Sequence, residues 1–416
     1  MEEWKEYKIK DVTSVLGDGI HGTPKYDDAG SVFFINGNNL ENGKIVIKEN
    51  TKRVSLEEAM KHTKPLTERT LFVSINGTLG NVARYNGESC ILGKSACYFN
   101  VKEEFDLDYI YYVVANVDFR KEIERLATGS TIKNVSLATM RNYTFHAPSL
   151  QAQKQIAAVL KSLDDKIECN RRINENLEQQ AQALFKSWFV DFEPFKNQPF
   201  VESELGMIPQ GWRVVTLDEM TSKFGTGLNP RKNFKLGEGN NYYVTIKNMG
   251  NNRVYLDDKC DKVTDDAIEK INKRSKLQVG DLLFSGIGTI GRVALITETP
   301  HNWNTSESVF NMHPQDGISS EFLYVLLLSD VFQSYVKVHA QGGVQQGIRM
   351  ASLKEYKLAT PDSRFLRLFD KIIIPIISQI KENDKENDRL AELRDTLLPR
   401  LMSGELKVND LENNEI

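Results

Sequence analysis

The chain has 416 residues, of which 40% are hydrophobic and 26% charged, an ordinary composition for a globular protein with room for two or three domains. With a formal net charge of −4, the chain lacks the overall basic character of many nucleic-acid-binding proteins. Composition alone therefore mildly disfavours that class. No apolar run approaches the roughly 20 residues of a membrane span, and the N-terminus lacks the layout of a signal peptide, so we expect a cytoplasmic protein without membrane contact.

The first 148 residues combine short strand-like segments with helical sequence. Asn-Gly and Gly turns separate stretches of strand-forming residues, a pattern that is typical of strands and hairpins. The segments are VFFINGNNL (32–40), LFVSINGTLGNVARY (71–85) and SACYFNV (95–101). The segment 108–127 has the apolar spacing of helices. We therefore predict a mixed α+β domain with a substantial sheet over 1–148.

Residues 149–192 are predicted to form one long helix. Apolar and small residues recur at alternating spacings of four and three, which is the heptad pattern of helix-on-helix packing. The positions of this pattern are Ile156, Leu160, Leu163, Ile167, Asn170, Asn174, Leu177, Ala181, Leu184 and Trp188. Such a helix would be on the order of 60 Å long at about 1.5 Å per residue. The prolines Pro194, Pro199 and Pro209 then predict an extended linker over 193–210.

The second half of the chain repeats the first. GTLGNVA at 77–83 and GTIGRVA at 288–294 differ at only two positions, and the segments that begin at Trp4 and Trp212 also align. The offset between matching positions drifts by a few residues, as insertions in surface loops produce. The further predicted segments are a second mixed α+β domain over 211–362, a second long helix over 363–403 and a flexible tail over 404–416.

The heptad pattern recurs in the second helix. Its positions are Phe369, Ile373, Ile376, Ile380, Asn383, Asn387, Leu390, Arg394, Leu397 and Leu401. Pro375 is expected to kink this helix near its start.

A two-fold relation between the repeats requires the two helices to pair antiparallel. The predicted register places Asn170 opposite Asn387 and Asn174 opposite Asn383, as a polar layer that fixes register at some cost in stability. We thus predict a pseudo-two-fold internal repeat, in which two mixed α/β domains are separated by two long antiparallel coiled-coil helices.

Sequence motifs of common enzyme classes are absent. The chain has no HExxH, P-loop or GxSxG motif, and its four cysteines form no CxxC pair. The Gly-rich segments of both repeats lie within strand-like sequence and favour tight turns over phosphate loops. We expect no catalytic or metal-ligating residue, and we interpret Asp164 and Asp165 as part of a solvated helix face.

Three stretches resemble the specificity (S) subunits of type I restriction–modification systems. They are SLATMRNYTFHAPSLQAQKQIAAVLKSLDDKIECNRRINENLEQQAQALFKSWFVDFEPF at 136–195, ELGMIPQGW at 204–212 and LRDTLLPRLMSGEL at 393–406. The resemblance extends over nearly the whole chain, and the first stretch is highly specific to that family. One departure is the N-terminus, where Trp4 lacks the GMIPQGW lead-in found at Trp212.

The resemblance implies that each domain is a target recognition domain for one half of a split DNA site. The long helices would separate these readers and dock two methyltransferase (modification) subunits. The implied partners are double-stranded DNA, the modification subunits and restriction subunits that form an ATP-dependent nuclease. This chain would be non-catalytic, without a cofactor of its own, whereas partner subunits would bind S-adenosylmethionine, ATP and Mg. A coiled-coil scaffold that does not read DNA remains the alternative.

The residues predicted to contact DNA lie in loops at matching places in the two repeats. Those of the first repeat are Thr23, Lys25, Asn36, Asn38, Asn39, Thr78, Ser130, Lys133 and Asn134. Those of the second are Arg231, Lys232, Lys247, Asn248, Thr289, Arg292, Gln345, Gln346 and Arg349. Lys and Arg suit phosphates, Asn can pair with adenine, and Arg292 is a candidate for reading guanine. The alternatives are turn formation for the asparagines and a solvated surface for the lysines.

Overall fold

The computed structural model of the chain describes residues 4–342 and 346–412. It consists of two compact units, of which unit 1 comprises Met1–Cys169 and Lys385–Ile416 and unit 2 comprises Asn170–Asp384. The unit boundaries fall inside the two long helices, so each unit holds one predicted domain and a part of each helix. Among the described residues, no helix combines the length and the hydrophobicity that a membrane span requires.

The secondary structure alternates short strands with helices in both units. The strands are β1 (Lys5–Lys8), β2 (Thr13–Asp18), β3 (Val32–Ile35), β4 (Leu40–Glu41), β5 (Lys44–Ile45), β6 (Arg53–Val54), β7 (Thr70–Ser74), β8 (Val82–Arg84), β9 (Cys90–Leu92), β10 (Ala96–Val101), β11 (Thr144–Ala147), β12 (Phe200–Ser203), β13 (Gly206–Pro209), β14 (Arg213–Thr216), β15 (Thr221–Thr226), β16 (Asn241–Val244), β17 (Met249–Gly250), β18 (Arg253–Val254), β19 (Asp261–Val263), β20 (Leu282–Ser285), β21 (Val293–Leu295), β22 (Trp303–Thr305), β23 (Val309–Pro314) and β24 (Lys357–Thr360). The α-helices are α1 (Ile9–Val12), α2 (Leu56–Met60), α3 (Leu107–Ala115), α4 (Val117–Leu126), α5 (Leu137–Asn142), α6 (Leu150–Phe189), α7 (Asp265–Ser275), α8 (Ser320–Leu328), α9 (Asp330–His339), α10 (Met350–Lys354), α11 (Ser363–Met402) and α12 (Val408–Glu412). Short 3-10 helices lie at Gly37–Asn39, Glu193–Phe195, Pro230–Lys232 and Ile246–Asn248.

Unit 1 is built on two small sheets. The larger is antiparallel with the order β2-β10-β7-β8, and the smaller has the order β6-β3-β9, in which β3 and β9 run parallel. Strands β1 and β11 pair antiparallel and join the two ends of the domain. The strands predicted from the sequence over 32–40, 71–85 and 95–101 are confirmed.

Unit 2 has the same topology. Its larger sheet has the order β15-β23-β20-β21, and its smaller sheet has the order β19-β16-β22 with a parallel β16–β22 pair. Strands β14 and β24 close the domain as β1 and β11 close the first. The predicted internal repeat of a mixed α+β domain is therefore confirmed.

The larger sheet of each unit packs one face against a pair of helices. In unit 1, Leu71 and Phe99 of the sheet are fully buried in one cluster with Tyr109 of α3 and Ile123 of α4. Burying each such side chain contributes roughly 1.5–3 kcal/mol relative to exposure. Helix α3 begins where the Asp106 side chain accepts a hydrogen bond of 2.8 Å from the Tyr109 amide, which satisfies an amide that the helix itself leaves without a partner.

The long helices pair antiparallel in both units. In unit 1, Leu160 near the start of α6 shares a buried cluster with Leu401 near the end of α11. In unit 2, the later part of α6 packs against the earlier part of α11, where the rings of Phe189 and Phe369 lie 4.9 Å apart. The predicted antiparallel pairing is confirmed. The heptad assignment was wrong in detail, because Ile377 is buried to 2% exposure where Ile376 was expected.

A buried polar layer in unit 2 confirms part of the predicted register. Asn383 Nδ2 donates to Asn174 Oδ1 at 2.8 Å, and Asn174 Nδ2 donates to the Ile380 carbonyl at 3.2 Å and to Asp384 Oδ1 at 3.0 Å. Both asparagines are less than a tenth exposed. The facing of Asn170 and Asn387 stays a prediction.

Asp164 is not part of a solvated helix face, as the sequence had suggested. Its carboxylate accepts hydrogen bonds of 2.7 Å from the Tyr112 hydroxyl and from Arg394 Nη1. Arg394 is the one heptad position that departs from its counterpart, Ala181, and the departure supplies this ion pair. Burial, and next the Asp164 carboxylate, raise the pKa of Tyr112, which therefore remains a hydrogen-bond donor. Pro375 does not interrupt α11, which runs from Ser363 to Met402.

The linker after α6 is not the extended connector that its prolines predicted. It contains a 3-10 helix and the hairpin β12–β13, and its Phe195 is fully buried with the ring 4.9 Å from that of Trp212. The aromatic residues collapse onto Trp212 because burying them removes a large apolar area from water.

The C-terminal tail packs in a similar way on unit 1. The sequence predicted a flexible segment from residue 404, but Val408 and Leu411 of α12 pack against the unit 1 core. A Cβ atom placed on Gly404 would lie 2.9 Å from the Trp4 ring, so this glycine allows close approach to the first tryptophan. The final stretch of the predicted tail, 413–416, lies outside the described residues.

Candidate nucleic-acid interface

The repeated heptapeptide forms a tight turn after β7 in unit 1. Gly77 and Gly80 have φ of 75° and 77°, a backbone conformation that glycine adopts without steric cost. The amide of Gly80 donates to the Ser74 carbonyl at 2.9 Å, and the amide of Asn81 donates to Ser74 Oγ at 2.8 Å. The turn leaves Thr78 exposed at its tip.

The second copy forms the same turn after β20 in unit 2. Gly288 and Gly291 have φ of 81° and 91°, and the amides of Gly291 and Arg292 donate to the Ser285 carbonyl and Oγ at 3.0 Å and 2.8 Å. Thr289 is exposed at the tip. The prediction of a tight turn is confirmed, and the two glycines that the copies share are the residues whose positive φ the turn requires.

A second loop pairs with this turn in both units. In unit 1, the amide of Gly77 donates to the Lys133 carbonyl at 3.0 Å. In unit 2, the amide of Gly288 donates to the Gln346 carbonyl at 2.8 Å. Two regions predicted separately from the sequence are thus brought together. Their exposed side chains are those of Ser130, Lys133, Asn134, Gln346 and Arg349, whereas Gln345 lies outside the described residues.

A third loop, at the end of β3, joins this surface in unit 1. The prediction of DNA contact was wrong for Asn39, which is 4% exposed and donates to the Val46 carbonyl and to Thr51 Oγ1, both at 3.0 Å. Asn36 is half-buried, and its Oδ1 accepts from Ser95 Oγ at 2.9 Å. Both asparagines shape the turn, which is the alternative that the sequence had left open. Asn38 remains exposed between them.

The corresponding loop of unit 2 follows β16 and has the same internal structure. Asn248 is 4% exposed, and its Oδ1 accepts from the Thr245 amide at 2.9 Å, so the prediction of base contact was also wrong here. Lys247 occupies the place of Asn38 and is exposed. The turns are therefore shared, and the exposed side chain on them differs between the repeats.

Arg292 is engaged within unit 2. Its Nη1 donates to the Ile246 carbonyl at 2.9 Å and also to the Met249 carbonyl, so the guanidinium fastens the turn that carries Lys247. Both bonds use Nη1, so the Nε and Nη2 edge is the part of the guanidinium left for a base, and the reading of guanine by Arg292 stays a prediction.

Replacement of Arg292 by alanine should therefore act on the Lys247 turn. We expect Arg292→Ala to destabilise unit 2 by about 1–3 kcal/mol, since two carbonyls lose their donor. Hydrogen–deuterium exchange of the 246–249 amides checks this, with Lys247→Ala as the control that removes a side chain from the same turn. Unchanged exchange in Arg292→Ala would contradict the fastening role.

Basic turns lie near the start of each domain. In unit 2, Asn229 Oδ1 accepts from the Arg231 amide at 2.9 Å and caps the 3-10 helix that exposes Arg231 and Lys232. In unit 1, Thr23 and Lys25 are exposed, and the Lys25 amide donates to Glu58 Oε1 at 3.0 Å. Exposed cations on fixed backbone suit phosphate contact.

A central turn connects these loops, and sequence reasoning missed it. In unit 1 it comprises 93–96, and in unit 2 it comprises 306–309. Its second residue is Lys94 in unit 1 and Glu307 in unit 2. The reversal of charge at matching positions was a signal available in the sequence. Within the described ranges, no group of three or more His, Cys, Asp or Glu side chains is placed to hold a metal ion.

Comparisons with known proteins agree with the duplicated fold. The family model of the type I restriction modification DNA specificity domain matches residues 1–179 and again 209–395. The chain is 25% identical over 421 residues to the type I restriction enzyme MjaIX specificity subunit of Methanocaldococcus jannaschii. That alignment covers 99% of this chain and 95% of the relative. The chain is 24% identical over 479 residues to the HindI specificity subunit of Haemophilus influenzae, with 98% and 100% covered.

A solved structure shows a similar fold. The crystal structure of the S subunit of a type I restriction–modification system from M. genitalium superposes with a TM-score of 0.52 at 19% identity and covers 96% of both chains. The two matched segments of the family model span most of the sequence, one in each repeat. The chain therefore belongs to the family of type I restriction–modification specificity (S) subunits.

Proposed function

We propose that the loop surface of each unit binds one half of a split double-stranded DNA target. The observation that carries this proposal is the repetition of one loop framework with different exposed side chains. Asn38 stands where unit 2 has Lys247, although the turns beneath them have the same hydrogen bonds. A duplicated reader with divergent tips can recognise two unrelated half-sites, since base edges are distinguished by the side chains presented to them.

The chain acts in this proposal as a non-catalytic subunit. The long helices set the spacing of the half-sites and dock two modification subunits, and restriction subunits complete the complex. S-adenosylmethionine, ATP and Mg belong to those partners. The support for a binding role is that the exposed groups of the loops are donors and acceptors for nucleic acid, including Lys25, Lys133, Arg231 and Lys232.

Exchange of one domain tests the proposal. Replacing 1–148 by the corresponding domain of another S subunit should change one half of the methylated motif and leave the other half intact, because each loop framework is complete within its unit. The measurement is methylome sequencing of cells that carry the exchanged chain with its modification subunit.

The control is the reciprocal exchange of 211–362, which should alter the other half. A change in both halves, or in neither, would contradict modular reading. A complex that assembles but shows no sequence-dependent methylation would favour the scaffold alternative.

A further inference from the structure

The central turn has the same backbone framework in both units. In unit 1, the Gly93 amide donates to the Ile35 carbonyl at 2.8 Å, and the Ile75 amide donates to the Ser95 carbonyl at 2.9 Å. The Ala96 amide closes the turn on the Gly93 carbonyl at 3.1 Å. These bonds tie the turn to the loops that carry Asn38 and Thr78.

The bonds of unit 2 match these one by one. The Ser306 amide donates to the Val244 carbonyl at 2.8 Å, the Gly286 amide to the Ser308 carbonyl at 2.9 Å, and the Val309 amide to the Ser306 carbonyl at 3.2 Å. Glu307 is thus the structural counterpart of Lys94. The two side chains of opposite charge stand at one position of one framework.

Lys94 is exposed and has no ion-pair partner among the residues that the structure describes. Its neighbour Ser95 holds both adjacent loops. Its Oγ accepts from the Gly37 amide and donates to Asn36 Oδ1, both at 2.9 Å, and its carbonyl accepts from the Ile75 amide at 2.9 Å. The ammonium therefore projects from a braced turn in the middle of the candidate interface. A lysine with a fixed backbone and an exposed ammonium without an ion-pair partner suits an anionic or acceptor-rich partner such as a DNA groove.

Glu307 makes hydrogen bonds within unit 2. Its Oε1 accepts from Asn229 Nδ2 at 2.6 Å, and its Oε2 lies 3.3 Å from the Tyr243 hydroxyl, which donates at 2.7 Å to the Leu228 carbonyl. Asn229 in turn caps the 3-10 helix that exposes Arg231 and Lys232. Through Asn229, the Glu307 carboxylate thereby fixes the start of the turn that carries Arg231 and Lys232.

We propose that Lys94 is a DNA contact of the first domain, and that Glu307 is a positioning residue that holds Arg231 and Lys232 for the second domain. This inference rests on the proposed function and adds to it a specific division of labour. Unit 1 presents a cation from the central turn, in addition to Lys25 and Lys133 on its other loops. Unit 2 uses the same position to support cations on the neighbouring turn, so the two half-sites are contacted from different places on a shared framework.

The test for Lys94 uses the full chain assembled with its modification subunit. The probes are a duplex that carries the motif found by methylome sequencing of the unaltered system and a duplex with the first half-site scrambled. Lys94→Ala should weaken binding to the motif duplex. If the contact is to phosphate, the slope of log affinity against log salt falls by about 0.9; if it is to a base, one position of the first half-site relaxes by roughly 5- to 150-fold.

The matched control is Lys121→Ala, which removes another exposed lysine of unit 1, on α4. It should leave the affinity, the salt slope and the motif unchanged. Equal behaviour of Lys94→Ala and the unaltered chain in all three measurements overturns the Lys94 assignment. An unaltered complex that binds motif and scrambled duplexes equally would instead overturn the proposed function itself.

The test for Glu307 compares Glu307→Ala with Glu307→Gln. The glutamine keeps a carbonyl oxygen for Asn229 Nδ2, so it should retain recognition of the second half-site. The alanine should lose that recognition, leave the first half-site unchanged and increase hydrogen–deuterium exchange at the Arg231 amide. Retention of the second half-site by Glu307→Ala overturns the positioning role, as does equal loss in both variants, which would make the charge itself the DNA contact.

Discussion

Asn383→Ala should lower the unfolding free energy of unit 2 by about 2–3 kcal/mol, because it leaves a buried acceptor without its donor and removes packed atoms. The Nδ2 atom of Asn383 supplies the bond of 2.8 Å to Asn174 Oδ1, and both side chains are buried in the helix seam. Urea unfolding followed by tryptophan fluorescence suits this measurement, since Trp188, Trp212 and Trp303 lie in unit 2 and only Trp4 lies in unit 1.

The matched control is Asn176→Ala on α6, the helix that carries the partner Asn174. Asn176 is exposed, and its hydrogen bond is to Gln180 within α6, so its loss should change stability by less than about 0.5 kcal/mol. Similar small effects of both substitutions would contradict a buried network.

A leucine pair separates stability from register. Asn174→Leu combined with Asn383→Leu should recover much of the stability, because an apolar pair removes the desolvation cost of both amides. It should also weaken the preference for one register, since a heptad slip then costs no polar pairing. If the helices set the half-site spacing as proposed, the spacer of the methylated motif becomes heterogeneous in this variant.

Gly291→Ala should destabilise unit 2 by roughly 2–4 kcal/mol, through a strained backbone and a displaced neighbour. Its φ is 91°, and an added Cβ would lie 2.3 Å from Gln333 Oε1. Gln333 cannot yield freely, because its Nε2 donates to the carbonyls of Gly291 and Leu327 at 3.0 Å and 2.6 Å. The same fluorescence assay measures the change.

Gly317→Ala is the control for backbone strain alone. Gly317 also lies in unit 2 and has φ of 87°, but an added Cβ would meet no atom within 4 Å, so it should cost only about 1–2 kcal/mol. If Gly291→Ala costs no more than this control, the contact with Gln333 is not a constraint. Gly80→Ala in unit 1 should fall near the control, since the nearest neighbour of its Cβ is Arg120 Cγ at 3.2 Å.

The duplicated plan of this protein can be predicted from local sequence patterns alone. The repeat of GTLGNVA and GTIGRVA, the heptad positions and the alternation of strands and turns are local patterns, and each reports a physical requirement of nearby residues. A left-handed turn requires glycine, as at Gly80 and Gly291, and an antiparallel seam places its polar positions opposite each other, as at Asn174 and Asn383.

Which polar side chains are available to a partner depends on contacts between segments that are distant in the chain. Asn39 and Arg292 were candidates for base contact in the sequence, yet Asn39 Nδ2 donates to the Val46 carbonyl and Arg292 Nη1 donates to the Ile246 carbonyl. Lys94 was overlooked because its setting depends on loops far apart in the chain. A side chain that is hydrogen-bonded within the protein is less available to a ligand. The sequence does not reveal such a bond when the partner is distant, because distant partners leave no periodic signal.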